Sequence, residues 1–445
     1  MATSVVRLHT FDEKVIFAAI SLSWAWYALG ALYVIAPVLA WLMLFRIIAG
    51  ALIAPQDSEF YPRAVPPLVW LWVGAMLVME VALLVGHANF DLSIAQTIKS
   101  SIGWAKGWAL LAVFPLLGAC LNIRPVVLYR AAAWVALQTL ILIPIFLVAP
   151  FIGLPETLYT SPLKMIGGPG PEFFQVQLFE RDFYGTLRWR FFAPWAPAAA
   201  LIYGTLLILL LHDRSRALRL AGIVTVLAVA VMCTSRLGIV AIPISLIATW
   251  GLSRLTNPRL LLLGAIGALA FGLAGQAILE FALDQRERID QMRADSTYVR
   301  EALARIAIHR WLTEAPVWGH GIVENGPRLV EFMPIGSHHS WYGLLFVKGA
   351  VGFLALLIPL VATVMELVVK AQKSRTARTA LAFTLLFGFF TFTENVEMLA
   401  YLMWPGLMFI GLAASERFFS PFRFPLGELV RHRYVAPAEP SLLKS

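Results

Sequence analysis

The sequence predicts an all-α polytopic membrane protein of about 12 transmembrane helices, with two long outer segments, the larger one partly helical. Three observations carry this. Apolar residues make up 60% of the 445-residue chain, charged residues only 14%, and the mean hydropathy is +0.77. A soluble domain is nearer half apolar and a quarter charged. Runs such as 67–86, 126–149 and 342–369 reach the roughly 20 apolar residues that a helix needs to cross hydrocarbon. Lys and Arg, finally, gather on alternate loops.

Arg7 and Lys14 lead into a first apolar segment without a small-residue cleavage pattern, so the first helix is expected to be retained. Twelve spans follow, at 15–28, 31–49, 67–86, 101–120, 126–149, 194–211, 217–233, 237–253, 259–278, 342–369, 380–396 and 400–415. With the N-terminus inside, the inner loops and span ends hold Arg46 and Arg63, Arg124 and Arg130, then Arg214, Arg216 and Arg219. Arg254 and Arg259 follow, then Lys370, Lys373, Arg375 and Arg378, and an inner tail that adds Arg417, Arg423, Arg431, Arg433 and Lys444. The short outer loops near 29–30, 87–97 and 394–399 have no Lys or Arg. One span more or fewer would reverse everything after it and erase the asymmetry. The net charge of +9 is therefore ordinary for basic inner loops that touch anionic lipid.

This partition leaves 150–193 and 279–341 outside. In the first, Phe173, Val176, Phe179, Phe183 and Leu187 recur at helical spacing, which predicts a helix lying in the interface plane. In the second, Asp295 or Ser296 is placed to cap a helix over about 297–312, ended by Pro316 and followed by a flexible Gly319-His320-Gly321 turn. Segment 279–341 holds seven Arg and nine Asp or Glu, so it is not a nucleic-acid patch. Cys120 and Cys233 fall at opposite membrane faces, and no disulfide is expected between them. The tail after Arg433 is expected to be disordered.

No metal-ligand cluster, Gly-x-Ser-x-Gly elbow or phosphate loop occurs, and no cofactor is implied. What remains is an outward set of arginines and histidines. Arg188 and Arg190 precede a span, Arg236 sits in the tight turn Thr234-Ser235-Arg236-Leu237-Gly238, and Arg300 opens the outer helix. His338, His339 and Ser340 lead into the tenth span. Arginine suits a diphosphate, because its planar fork makes paired charge-assisted bonds and never loses its charge. A histidine beside the bilayer can exchange a proton near neutral pH. Each has a plainer role to set against this: Arg188 and Arg190 as snorkelling anchors, Arg300 as part of a salt-bridged face with Glu301, and His309 and His320 as structural groups. Arg236, held near membrane depth, is costly to leave unpaired.

His338-His339-Ser340-Trp341-Tyr342, with Gly349 and Gly352 eleven and fourteen positions after His338, resembles the signature that O-antigen ligases share with O-antigen polymerases. There a histidine, usually followed by Asn, precedes aromatic and aliphatic residues; here His339 takes the Asn place. Arg300 with Pro316-Val317-Trp318-Gly319-His320-Gly321 is similar to that family's arginine and Pro-x-x-Gly-x-Gly pattern, and Ser235-Arg236 to its Ser-Arg turn. Arg190-Phe191-Phe192-Ala193-Pro194 is a looser match.

The resemblance implies a metal-independent, inverting glycosyltransferase of the bacterial inner membrane, with its site facing the periplasm. It would move O-antigen from undecaprenyl diphosphate to a sugar hydroxyl of lipid A–core, with His338 as base and Arg236, Arg300, Arg190 and Arg188 on the donor diphosphate. His339 and Ser340 would support. The chain then divides into helices 1–5 (1–149), a periplasmic loop with an interfacial helix (150–193) and helices 6–9 (194–278). A catalytic periplasmic loop (279–341), helices 10–12 (342–415) and a cytoplasmic tail (416–445) complete it. An O-antigen polymerase or a protein-glycosylating ligase using the same donor is the alternative, and a lipid or glycan transporter ranks third.

Overall fold

In a computed structural model, residues 6–55, 58, 60–181, 185–291 and 294–416 are described. In chain order the helices are α1 (Phe11–Ser21), α2 (Ser23–Ala28), α3 (Leu32–Ile53), α4 (Pro67–Asn89), α5 (Ile94–Lys106), α6 (Leu110–Cys120) and α7 (Pro125–Val148). After segment 150–193 come α8 (Ala196–Leu210), α9 (Arg216–Met232), α10 (Arg236–Leu252), α11 (Pro258–Gln291) and α12 (Ala294–Glu314). The last three are α13 (Ser340–Ala371), α14 (Arg375–Phe390) and α15 (Ala400–Ser415).

The expected spans overlap helices or helix pairs, although α14 stops at Phe390 inside the expected 380–396, and length sorts them. Among the described residues seven are long and apolar enough to cross a membrane: Leu32–Ile53, Pro67–Asn89, Ile94–Cys120, Pro125–Val148, Pro258–Ala277, Ser340–Ala371 and Val396–Ser415. This marks a multi-pass membrane protein. The count of twelve rests on shorter helices as well. α8, with 15 residues, is about 22 Å long, against about 30 Å of hydrocarbon, and span 15–28 is broken at Leu22 between α1 and α2.

Local chemistry explains the shifted boundaries. Helix α5 starts before the expected span 101–120 because Ser93 and Gln96 form a reciprocal capping box. Ile94, Ile98 and Ile102 then lie exposed along one face. Helix α11 runs past the expected 278 as a single 34-residue helix.

The end of the bundle distal to Ser340 is tied by ion pairs. Lys370, near the C-terminus of α13, donates to the Ala413 and Ala414 carbonyls at 3.0 and 2.7 Å, completing the end of α15. Ser415 bonds the Ala119 carbonyl of α6 at 3.3 Å. Arg124 holds buried Glu13 in a fork at 2.7 and 2.8 Å, Arg46 meets Asp12 at 3.0 Å, and Arg130 meets buried Asp213 at 2.7 Å. Several basic residues that sort to the inner side in the sequence therefore also staple helix ends. Small residues bring α6 and α15 together: a Cβ on Gly411 would lie inside contact distance of the Pro115 carbonyl.

The interfacial helix expected in 150–193 is not formed among the described residues. Two antiparallel pairs occur instead, β1 (Thr157–Thr160) with β2 (Gln175–Gln177) and β3 (Glu180–Arg181) with β4 (Leu187–Arg188). Short 3₁₀ turns begin at Pro162 and Pro171. Within the expected stripe the strand pairs take up the backbone, and Gly185 takes φ +77°, which a helix does not accommodate. Tyr27 then bonds both backbone groups of Gln177, at 2.9 and 2.7 Å. Phe173, Val176 and Phe179 are buried against the helices rather than lipid-facing. Phe183 and the tail from 417 lie outside the described residues.

Candidate functional site

The N-terminus of α13 organises the site. His339 is its N-cap: its Nδ1 accepts the Tyr342 N–H at 3.4 Å, and its ring stacks on Tyr342 at 3.9 Å. One residue earlier, His338 takes the left-handed conformation, φ +61°, and its N–H donates to Asn395 Oδ1 at 2.7 Å. Ser340, fully buried, donates its hydroxyl to the Glu394 carbonyl (2.7 Å) and accepts the Val396 N–H (3.1 Å). The Ser340 N–H meets the Thr391 carbonyl at 3.0 Å, and Trp341 Nε1 meets the Thr391 hydroxyl at 2.9 Å. Residues 391–396, between α14 and α15, thus wrap the histidine segment.

That wrapping buries a carboxyl group. Glu394 is 3% exposed and accepts Trp195 Nε1–H at 2.7 Å. Burial pushes its pKa up to about 7, opposed by the Trp195 bond and by the positive charge of Arg300. His338 is pushed down to about 4, by burial first and by Arg300 second. Burial alone takes His339 down to about 4. Arg300, exposed on α12, therefore acts on both His338 and Glu394. At neutral pH His338 is uncharged and able to accept a proton.

The Gly319-His320-Gly321 stretch is not a free turn, correcting that expectation. Helix α13 opens at Gly349, with φ +63° and ψ −162°, a region essentially reserved for glycine. Segment 316–321 lies in the opening like a strand. His320 and Gly321 N–H groups bond the Phe346 and Val347 carbonyls at 2.9 and 2.8 Å, while Ala350 and Val351 N–H groups bond the Pro316 and Val317 carbonyls at 3.0 and 3.2 Å. The buried His320 ring sits between the Phe346 carbonyl (2.9 Å) and Glu314 (2.8 Å) and stacks on Phe346. Arg310, 2.7 Å away, holds the Glu314 carboxyl down to about 2. His320 is a structural group of this joint.

The remaining arginines lie along a second arm. Arg188 is 2.7 Å from Glu180 across the β3–β4 pair, so its charge is met there. Arg190 is 4% exposed, bonded to the Pro194 carbonyl and to Gln175, with its Nε lacking a hydrogen-bond partner. Arg236 is exposed at the first position of α10, behind the N-cap Ser235. Trp189 N–H bonds the Met232 carbonyl at 3.2 Å, which seats the Arg188–Arg190 stretch against the turn that carries Arg236. Trp195, just beyond, reaches Glu394. The 391–396 wrap thus brings His338 and Glu394 to one place, and the Arg300 charge bears on both, while Arg190 and Arg236 are linked to it through the 189–195 segment rather than by contact.

Three residues escaped sequence reasoning: Trp195, Glu394 and Asn395. The available signal was an acid–amide–acid cluster, Glu394-Asn395-Val396-Glu397, inside an otherwise apolar stretch. Among the described residues, no three His, Cys, Asp or Glu side chains converge as metal ligands. Comparison with models of known protein families and with curated proteins returns no match.

Proposed function

We propose that the protein is an inner-membrane glycosyltransferase of the O-antigen ligase type, which transfers a glycan from undecaprenyl diphosphate to a sugar hydroxyl of lipid A–core. The observation that supports this most is the convergence of a neutral histidine, a buried carboxyl group and an arginine at the end of an apolar helix. A lipid-borne donor would present its head group at that depth. In the proposed reaction the acceptor oxygen attacks the anomeric carbon and inverts it. The hydroxyl proton passes to the His338 ring as a general base. The bond from the anomeric carbon to the diphosphate oxygen breaks, and the diphosphate leaves with the electron pair. Its growing charge faces Arg300, with Arg236 and Arg190 on the approach, and fixed cations of this kind stabilise such a leaving group. Glu394 would stabilise the imidazolium as it forms.

A polymerase reading shares the donor and the site and differs only in the acceptor. Gene deletion separates them. A ligase leaves lipid A–core uncapped while long undecaprenyl-linked polymer accumulates. A polymerase leaves single repeat units attached to the core, and that result would replace the first reading with the second.

A further inference from the structure

A left-handed backbone is a costly choice for a residue with a side chain and persists where its surroundings impose it. At His338, φ +61°, the imposing contact comes from 57 residues away: the N–H donates to Asn395 Oδ1 at 2.7 Å. An Asn side chain can face either way round, offering oxygen or nitrogen. Here the carbonyl oxygen faces His338, and the Glu397 carboxyl lies beside the Asn395 side chain. Lys348, 3% exposed on α13, supplies the nearby positive charge. Asn395 also precedes a 3₁₀ turn, Val396–Leu399, yet makes no side-chain cap bond to it. The usual structural task of an Asn at that position is left undone, and its carbonyl is spent on His338 alone.

We infer that Asn395 is a positioning residue: it holds the His338 backbone left-handed and so aims the imidazole at the site shared with Arg300 and Glu394. This rests on the functional reading above. In the full-length protein in liposomes, with undecaprenyl diphosphate-linked oligosaccharide and lipid A–core, Asn395→Leu should lower kcat about tenfold to a hundredfold. KM for both substrates should stay within about twofold, because the residue touches neither. Asn395→Asp combined with Glu397→Gln conserves the net charge of the two side chains and keeps an acceptor on His338, and should recover most of kcat. This pair also carries the test if Asn395→Leu fails to insert. The decisive arm is His338→Ala, in which adding Asn395→Leu should cost nothing further. A general loosening of the loop would instead lower the residual rate again, and that result, or a wild-type kcat for Asn395→Leu, would overturn the inference. If His338→Ala itself turns over normally, the functional reading fails, and with it the histidine that Asn395 is said to aim.

Discussion

His338 and His339 are neighbours with different duties. The cap bond from His339 to the Tyr342 N–H is one that Asn makes at least as well, which gives a physical reason for an Asn after the histidine in the resembled signature. His339→Asn should therefore keep both stability and transfer. His339→Ala should cost about 1 kcal/mol of stability, read as a lower thermal midpoint in detergent. A wild-type midpoint for the alanine variant would remove the capping role. Glu394 supplies a second prediction. Burial raises it from the usual 4.5 to about 7, so it is protonated below that pH, and in the proposed reaction it would become the anion that supports the imidazolium only above it. Its stability contribution runs the other way, present below about 4.5 and lost as pH rises through about 7. The rate should rise through pH 7 in the wild type and lose that limb in Glu394→Gln. An unchanged limb in the variant would assign it elsewhere.

At the scale of elements, the joint between 316–321 and the opened α13 explains the glycine that follows His338 by eleven residues. A Cβ on Gly349 would meet the Val317 carbonyl inside contact distance, and no other residue accepts its backbone angles without strain. Gly349→Ala should destabilise the protein by about 2–4 kcal/mol, measured by chemical unfolding in mixed micelles, and should reduce transfer with it. A fully stable alanine variant would show that the joint rearranges freely. The elements were unequally legible in the sequence. Apolar runs located the helices because burial in lipid leaves a length signature, and Pro316 marked the end of α12. The Phe173–Phe179 stripe misled because buried turns can mimic helical spacing when strand pairs and tyrosine contacts, rather than the helix ladder, satisfy the backbone. Glu394 and Trp195 were invisible as partners because 199 residues separate them in the chain, and periodicity says nothing about contacts at that range.

For the whole molecule, the ion pairs at one end and the histidine segment at the other separate two faces. The Lys and Arg distribution supports the proposed placement of the histidine face on the periplasmic side. Cysteines introduced at Gly170 and Asn325 should react with an impermeant thiol reagent in spheroplasts, and one at Ser215 should not. Labelling at Ser215 in sealed cells would invert the arrangement and put His338 on the wrong side for a periplasmic donor.

The central claim, that His338 is the base of a glycan transfer from a polyprenyl diphosphate, is tested most directly in a reconstituted membrane. The purified protein and its His338→Ala variant are supplied with undecaprenyl diphosphate-linked glycan and lipid A–core, with donor binding measured separately. Wild type should form capped product, and His338→Ala should bind donor normally yet lose about a hundredfold or more in turnover. Near-normal turnover by His338→Ala, with the loss appearing instead in His339→Asn, would contradict the assignment and move the catalytic role to the neighbouring histidine.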